Sequence, residues 1–465
     1  MIDYLDWQSD LTLEQVFAGA APFSYPSIVD GLGTLYLSKD PHDNRSVLRL
    51  MSGDKVNTIT PAWSNLQTRV NEYGGKPYWL LGKSLVFANR SDQCLYRQQL
   101  DDRCASVPQR ISVKPSDKQR FMYTDVNQLN NAAILAIVEV ERAGISHANN
   151  PMFIATLSDQ ADNEPLIAIQ GADFYSNLVV NKSQDKVAWV QWTHPNMPWD
   201  NTQLMVADLV YRAKVPSIEN PSQVDVLGIS SGGASVCQLL FSDNDRLFFS
   251  ADYSTDEETV STDDSDNYWN IHVYDFDTAK ATRVTSGSDE FGYPHWVYGD
   301  HRIVQLTEDT LLAIASAPSG DQMVLIDQHS LECRGLLPQT PATLQHLHSN
   351  GSGRCVLEQR PFDANSSLVQ FDYQVIDQSL RPEALIEGAK IEFEISPAVA
   401  IPLLRRALST RMVSTTRRAI LHSSSKLTLR RYPRFWSWCM AARPPEPMVI
   451  STCKSSSGHH VVSLF

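Results

Sequence analysis

Long apolar runs are missing from this sequence. None approaches the roughly 18 residues that cross a bilayer as a helix, so no membrane partner is expected. The opening MIDYLDWQSD has neither a basic stretch nor an apolar core, so no leader peptide is expected and the expected location is cytoplasmic. No CxxC pair occurs. The seven cysteines, Cys94, Cys104, Cys237, Cys333, Cys355, Cys439 and Cys453, are odd in number and irregularly spaced. That argues against a disulfide framework or a zinc site and fits a reducing compartment. Excess positive charge is missing as well: 39 Lys and Arg stand against 53 Asp and Glu, a net charge of −14, so no nucleic-acid partner is expected. There is no P-loop or GxGxxG, and no cofactor is expected. Amphipathic helices are scarce; the best is a short one over 11–20, LTLEQVFAGA.

What is present is strand after strand. Hydrophobic residues make up 42% and charged residues 20%, enough to build a large core. Runs rich in β-branched and aromatic residues recur: TLYLS (34–38), SLVFAN (84–89), AILAIVEV (133–140), KVAWVQW (186–192), RLFFSADY (246–253), IVQL (303–306), MVLID (323–327) and LVQFDYQVI (368–376). Turn signals such as Asp30-Gly31, Ser52-Gly53-Asp54 and Asn350-Gly351 separate them. The runs cluster near 26–50, 76–100, 120–160, 171–210, 235–285, 291–335 and 340–385. A spacing of about 50 residues in an all-β chain predicts a β-propeller, one four-stranded antiparallel sheet per repeat. Seven blades suit the length; six or eight also fit, and a pair of β-sandwiches is the rival all-β architecture. The expected division is an N-terminal segment (1–25), the propeller (26–400) and a distinct tail (401–465).

Candidate chemistry is thin. GISSG (228–232) matches the G-x-S-x-G pattern with Ser230 as nucleophile, but the elbow needs a helix after it and the residues that follow read as strand. Ser230 is therefore expected in an ordinary turn between blades. The acidic run STDEETVSTDDSD (254–266) lacks the glycine of an EF-hand loop and reads as a solvated insert rather than a calcium site. His346 and His348 are two apart and His459 and His460 adjacent, with no third ligand at a usable spacing, so no metal site is expected.

The segments RVNEYGGKPYWL (69–80), VFANRSDQCLYR (86–97) and GADFYSNLVVNKSQDKVAWVQWTHPNMPWDNTQLMVADL (171–209) carry a resemblance. So do NYWNIHVYD (267–275) and DEFGYPHWVYG (289–299). Over about residues 20–400 the chain resembles the N-terminal propeller of the prolyl oligopeptidase family, in its acylaminoacyl-peptidase or dipeptidyl-aminopeptidase branch. HPNMPWD (194–200) is the most specific piece. The resemblance implies a propeller that caps an α/β-hydrolase domain and admits only short peptides. It also implies that the catalytic Ser, Asp and His all belong to that second domain.

The tail departs from this pattern. Residues 401–465 hold eleven Lys and Arg and one acid, Glu446, leaving 28 basic and 52 acidic residues in 1–400. No hydrolase domain fits in so short a segment. Its codons suggest a shifted reading frame. The last base of each codon joined to the first two of the next forces Leu at Phe435-Trp436, Val at Trp438-Cys439, and Gly at Met440-Ala441 and Met448-Val449. The stretch 435–443 can then read L-V-M-V-H-G-G-P, which resembles the segment of the family that helps build its oxyanion hole. We therefore expect a tail without a native fold. The competing readings are a basic amphipathic helix over IPLLRRALSTRMVSTTRRAIL or a basic arm.

The expected function is that of a substrate-gating propeller with no catalytic, cofactor-binding or metal-binding residues of its own, whose partners are short peptides and a hydrolase domain supplied in trans. Alternatives are a non-enzymatic propeller that binds a peptide or protein, and an esterase or peptidase using Ser230. The sequence leaves open whether the chain itself is an enzyme.

Overall fold

The computed structural model describes residues 23–386 except 101–105, 130–132, 147–148, 159–163, 214, 227–232, 255–267, 294, 318, 337–341, 362–363 and 375–378; beyond 386 it describes four strands. Among the described residues there is no α-helix. The helix expected over 11–20 and the acidic insert after Ser254 lie outside them.

Seven four-stranded antiparallel sheets follow one another, each with its strands in chain order. Blade 1 is Ser24–Val29, Gly33–Lys39, Ser46–Ser52 and Lys55–Thr58. Blade 2 is Tyr78–Leu81, Ser84–Ala88, Leu95–Gln99 and Gln109–Arg110. Blade 3 is Gln119–Gln128, Ile134–Arg142, Met152–Leu157 and Leu166–Ile169. Blade 4 is Phe174–Val180, Lys186–Trp192, Gln203–Arg212 and Val215–Gln223. Blade 5 is Gly233–Phe241, Leu247–Ser254, Asn270–Asp275 and Lys280–Arg283. Blade 6 is Ile303–Thr307, Thr310–Ala317, Gly320–Asp327 and Cys333–Leu336. Blade 7 is Ala342–Ser349, Arg354–Pro361, Ser367–Gln374 and Ser379–Ile386. Separate sheets in sequence exclude two sandwiches, and the blade number is seven.

From blade 2 to blade 7 the first strands of successive blades pack side by side, the first strand of blade 1 meets the first two strands of blade 7, and an apolar cluster joins blade 1 to blade 2, so the sheets close into a ring. Burial follows position in the blade. Second and third strands have neighbours on both faces: Ser84–Ala88 and Met152–Leu157 are buried throughout. Outer strands are wet: all of Lys55–Thr58 is exposed. One apolar cluster fills each interface between blades. Leu35 and Leu48 with Leu85 and Phe87 bind blade 1 to blade 2. Leu135 and Ile154 with Val187 and Trp189 bind blade 3 to blade 4. Burying such side chains gives about 25 cal/mol per Å² of apolar surface, and it is this packing that holds the ring together. The closing interface between blades 7 and 1 has the smallest cluster, Phe23, Ile28, Tyr36, Val356 and Leu368. Among the described residues no strand is exchanged across it.

The ring falls in one compact unit, Met1–Ala315 with Asp321–Phe393; a second comprises Ser316–Gly320 and Glu394–Phe465. In the latter, Thr416–Leu421 pairs with Leu427–Tyr432 and Ile450–Lys454 with His460–Leu464, each as an isolated two-stranded sheet. Thr416–Leu421, the end of the segment with helical spacing, is a strand. A lone two-stranded sheet is marginal in water, in keeping with a tail that lacks a native fold.

Candidate functional site

In a four-stranded meander, the turns between second and third strands and the connectors between blades lie on one face of the ring. Every family-like segment reaches that face. RVNEYGGKPYWL spans the connector from blade 1 to blade 2, and DEFGYPHWVYG the connector from blade 5 to blade 6. HPNMPWD is a turn between second and third strands in blade 4. There Tyr73, 47% exposed, lies with Trp296 at a centroid distance of 5.8 Å, and Trp296 meets Trp199 at 5.6 Å.

The two connectors meet, although the blades they lead to are not neighbours. Gly75 forms a parallel bridge with Tyr298. The Lys76 N–H donates to the Tyr298 carbonyl at 2.9 Å, and the Tyr298 N–H to the Gly74 carbonyl at 3.1 Å. The Tyr298 side chain is buried; its hydroxyl donates to the Tyr175 carbonyl of blade 4 and accepts from Asn71 Nδ2, both at 2.9 Å. The Asn71 N–H donates to Glu139 Oε2 of blade 3 at 2.6 Å. The crossing thus ties together blades 2, 3, 4 and 6 on the connector face of the ring. Tyr298→Phe removes one hydroxyl and strands the Tyr175 carbonyl, so a loss of about 1–3 kcal/mol is expected in chemical unfolding.

A belt of side-chain-to-backbone hydrogen bonds links the innermost strands. Tyr25, Asp125, Asn177, Gln238 and His346 all adopt left-handed φ, 45° to 57°, on first strands. Breaks in strand register fall beside them in blades 1, 3, 4, 5 and 7, the mark of β-bulges. Asp125 Oδ2 accepts the Leu178 N–H of blade 4 at 3.2 Å, and Asn177 Oδ1 the Leu239 N–H of blade 5 at 3.1 Å. Gln238 Oε1 accepts the Arg302 N–H at 2.7 Å, and Asp300 Oδ1 the His346 N–H of blade 7 at 2.9 Å. His348 Nδ1 accepts the Ile28 N–H of blade 1 at 3.2 Å, which carries the belt across the closing interface. Tyr78 of blade 2 donates to the Tyr25 carbonyl and lies 3.0 Å from Ser27 Oγ.

Burial shifts the titratable groups inside the belt. His301 is exposed, but burial among the surrounding strands lowers it to about 4, helped by the Lys76 charge. Burial also lowers Lys76 to about 8 and His295 to about 3. It raises Asp125 to about 6 against the pull of the Leu178 and Asn177 N–H groups. Burial pushes Asp300 up, but contact with His346 and the Arg302 charge outweigh it and hold its carboxyl below the usual range.

His346 and His348, set aside as metal ligands in the sequence, belong to this belt. Among the described residues no group of three His, Cys, Asp or Glu is placed to hold a metal. His460 begins a tail strand, and His459 lies outside the described residues, as does Ser230. The residues that follow the GISSG segment form the strand Gly233–Phe241, so the helix that a nucleophile elbow requires is not there. Cys94, Cys237 and Cys355 are buried free thiols and Cys333 an exposed one. Lys76, His295, His301 and Asp300 went unmarked in the sequence, because only the crossing connectors bring them to one axis.

This architecture defines a seven-bladed β-propeller with a polar axis and crossed connectors at one mouth. Its fold is that of a puromycin hydrolase (TM-score 0.68, 18% identity), covering 91% of this chain and 60% of that one. A puromycin-hydrolyzing peptidase of Mycobacterium tuberculosis is alike at TM-score 0.67 and 20% identity, with the same coverage. Prolyl oligopeptidase B from Galerina marginata matches at TM-score 0.54 and 11% identity, covering 80% of this chain and 51% of that one. The chain thus spans 60% of the length of the first two. No family model and no curated protein matches the sequence. Among the described residues no helix is long and apolar enough to cross a membrane.

Proposed function

We propose that this chain is the gating propeller of a prolyl oligopeptidase family serine peptidase, without a catalytic triad of its own. The observation that carries the reading is the convergence of the family-like segments on one face, where two of them cross at Gly75 and Tyr298. On this reading the crossed connectors restrict access along the ring axis to short, extended peptides. Acyl transfer needs an activated nucleophile, a base, an orienting acid and an oxyanion hole, and these would come from a hydrolase domain in trans. The tail, on this reading, is the start of that domain in a shifted frame; the coding DNA past codon 400 tests it directly. The working location is cytoplasmic.

A fluorophosphonate probe tests the absence of a nucleophile. The intact chain is expected to stay unlabelled at concentrations that saturate a serine peptidase. Labelling that disappears in Ser230→Ala would replace this reading with an esterase. A second reading, a non-catalytic peptide-binding propeller, draws on the aromatic group Tyr73, Trp296 and Trp199. It would be favoured if peptides bind the chain while an added hydrolase domain does not.

A further inference from the structure

Just inside the crossing stands a cation without a counter-charge. Lys76 Nζ donates to Ser27 Oγ at 3.1 Å and sits 4.8 Å from the centre of the Tyr78 ring. Among the described residues no carboxylate pairs with it. The acids nearest the axis are already matched. Asp300 faces His346 at 3.5 Å, and Glu358 holds Arg360 at 2.6 Å with His346 at 3.7 Å. His301 and His348 lie close enough to Lys76 that its charge lowers both. Enclosing an ammonium without a partner is costly, and an anion would relieve that cost.

We propose that Lys76, Ser27, His301 and His348 form an axial site for one carboxylate, of the kind that ends a short peptide. The ammonium supplies a full positive charge and the Ser27 hydroxyl a donor. His348, whose Nδ1 accepts the Ile28 N–H, carries its hydrogen on Nε2 and donates from there, while His301 can present a ring N–H of its own. One fixed positive charge matches a monoanion better than a phosphate dianion. The groups facing the site from the surrounding elements are Tyr25 and Ser27 of blade 1 and Tyr78 of blade 2. His301 at the start of blade 6 and His348 of blade 7 feel the Lys76 charge; behind them Asp300 and Glu358 face His346, Arg360 is held by Glu358, and Arg302 faces Asp321. Because the acids among them are paired, a bound carboxylate strengthens proton binding at Lys76, and by linkage it binds more tightly as pH falls from 8 to 6. The inference does not depend on any hydrolase partner.

The test is reductive methylation of the full-length chain at fixed ionic strength, with modification of Lys76 read by mass spectrometry. Four competitors are used: acetate, N-acetyl-Gly-Gly-Phe acid, its C-terminal amide, and inorganic phosphate. The peptide acid is expected to slow Lys76 modification at least tenfold and the amide to leave it unchanged. Equal protection by acetate would assign the site to free small acids and still uphold a carboxylate site. Protection by amide and acid alike, by phosphate alone, or by none of the four would overturn the proposal. In equilibrium dialysis, Lys76→Met is expected to weaken binding of the peptide acid at least tenfold, and unchanged binding would overturn it. The methylation readout is made on the unaltered chain, so a variant that fails to fold does not blunt the test.

Discussion

Alanine in place of Gly75 is expected to lower the stability of the ring by about 3 kcal/mol or more, the sum of a strained backbone and a steric clash. Gly75 has φ +146°, a conformation that side chains rarely adopt. A Cβ there would sit 2.2 Å from the Tyr298 carbonyl oxygen and 2.5 Å from its nitrogen, both backbone atoms that cannot swing aside. Relief requires breaking the bridge between the connectors, and with it the Lys76 and Tyr298 backbone hydrogen bonds. Gly31 is the control: its φ is +77°, yet a Cβ there meets nothing within 4 Å. Gly31→Ala should cost only the left-handed penalty, about 1–2 kcal/mol. Urea midpoints of the two variants decide the matter. If Gly75→Ala is no worse than Gly31→Ala, the crossing does not support the ring.

The contrast between these glycines shows how far the sequence could be followed. Asp30-Gly31 was legible as a turn because its chemistry is local. YGGK looked like one more turn, whereas its work is done against Tyr298. Asn71 and Tyr298 are 227 residues apart, beyond any periodicity. The same holds strand by strand. SLVFA and KVAWVQW stood out because second strands are buried on both faces and read as continuous apolar runs. The fourth strands KVNT and VPSIENPSQ were invisible because they are solvated edges with polar side chains. The first strands were seen but not understood. Polar residues such as Asp125, Gln238 and His346 interrupt their alternation, and each interruption is a bulge that reaches to the next blade. Counting apolar clusters therefore gave seven repeats, but the axis, where function is proposed, is written in the residues that spoil the pattern.

Acid is expected to destabilise the ring well above the pH at which carboxylates usually titrate. His295 is held at about 3, chiefly by burial and then by the His301 charge; burial holds His301 at about 4 and His348 well below its usual value. In the unfolded chain each titrates near 6.5. Between about pH 6.5 and 4 the unfolded chain therefore binds protons that the folded ring refuses, so stability falls as pH falls. Asp125 acts the other way: raised to about 6, it is protonated in the fold before it is protonated in the unfolded chain. Lys76, at about 8, is charged in both states across this window and drops out. Asp300, lowered in the fold, stays ionised until lower pH. His301 is exposed to solvent and counts for less than a whole proton. The net uptake on unfolding is then about one to two protons, or about 1.4–2.8 kcal/mol lost per pH unit. Urea unfolding at pH 7, 6 and 5 measures that slope, and His295→Gln should reduce it by about one proton. A stability that stays flat from pH 7 to 5 would mean that these imidazoles are freely hydrated, and with that the enclosed axis would be lost as the basis for gating.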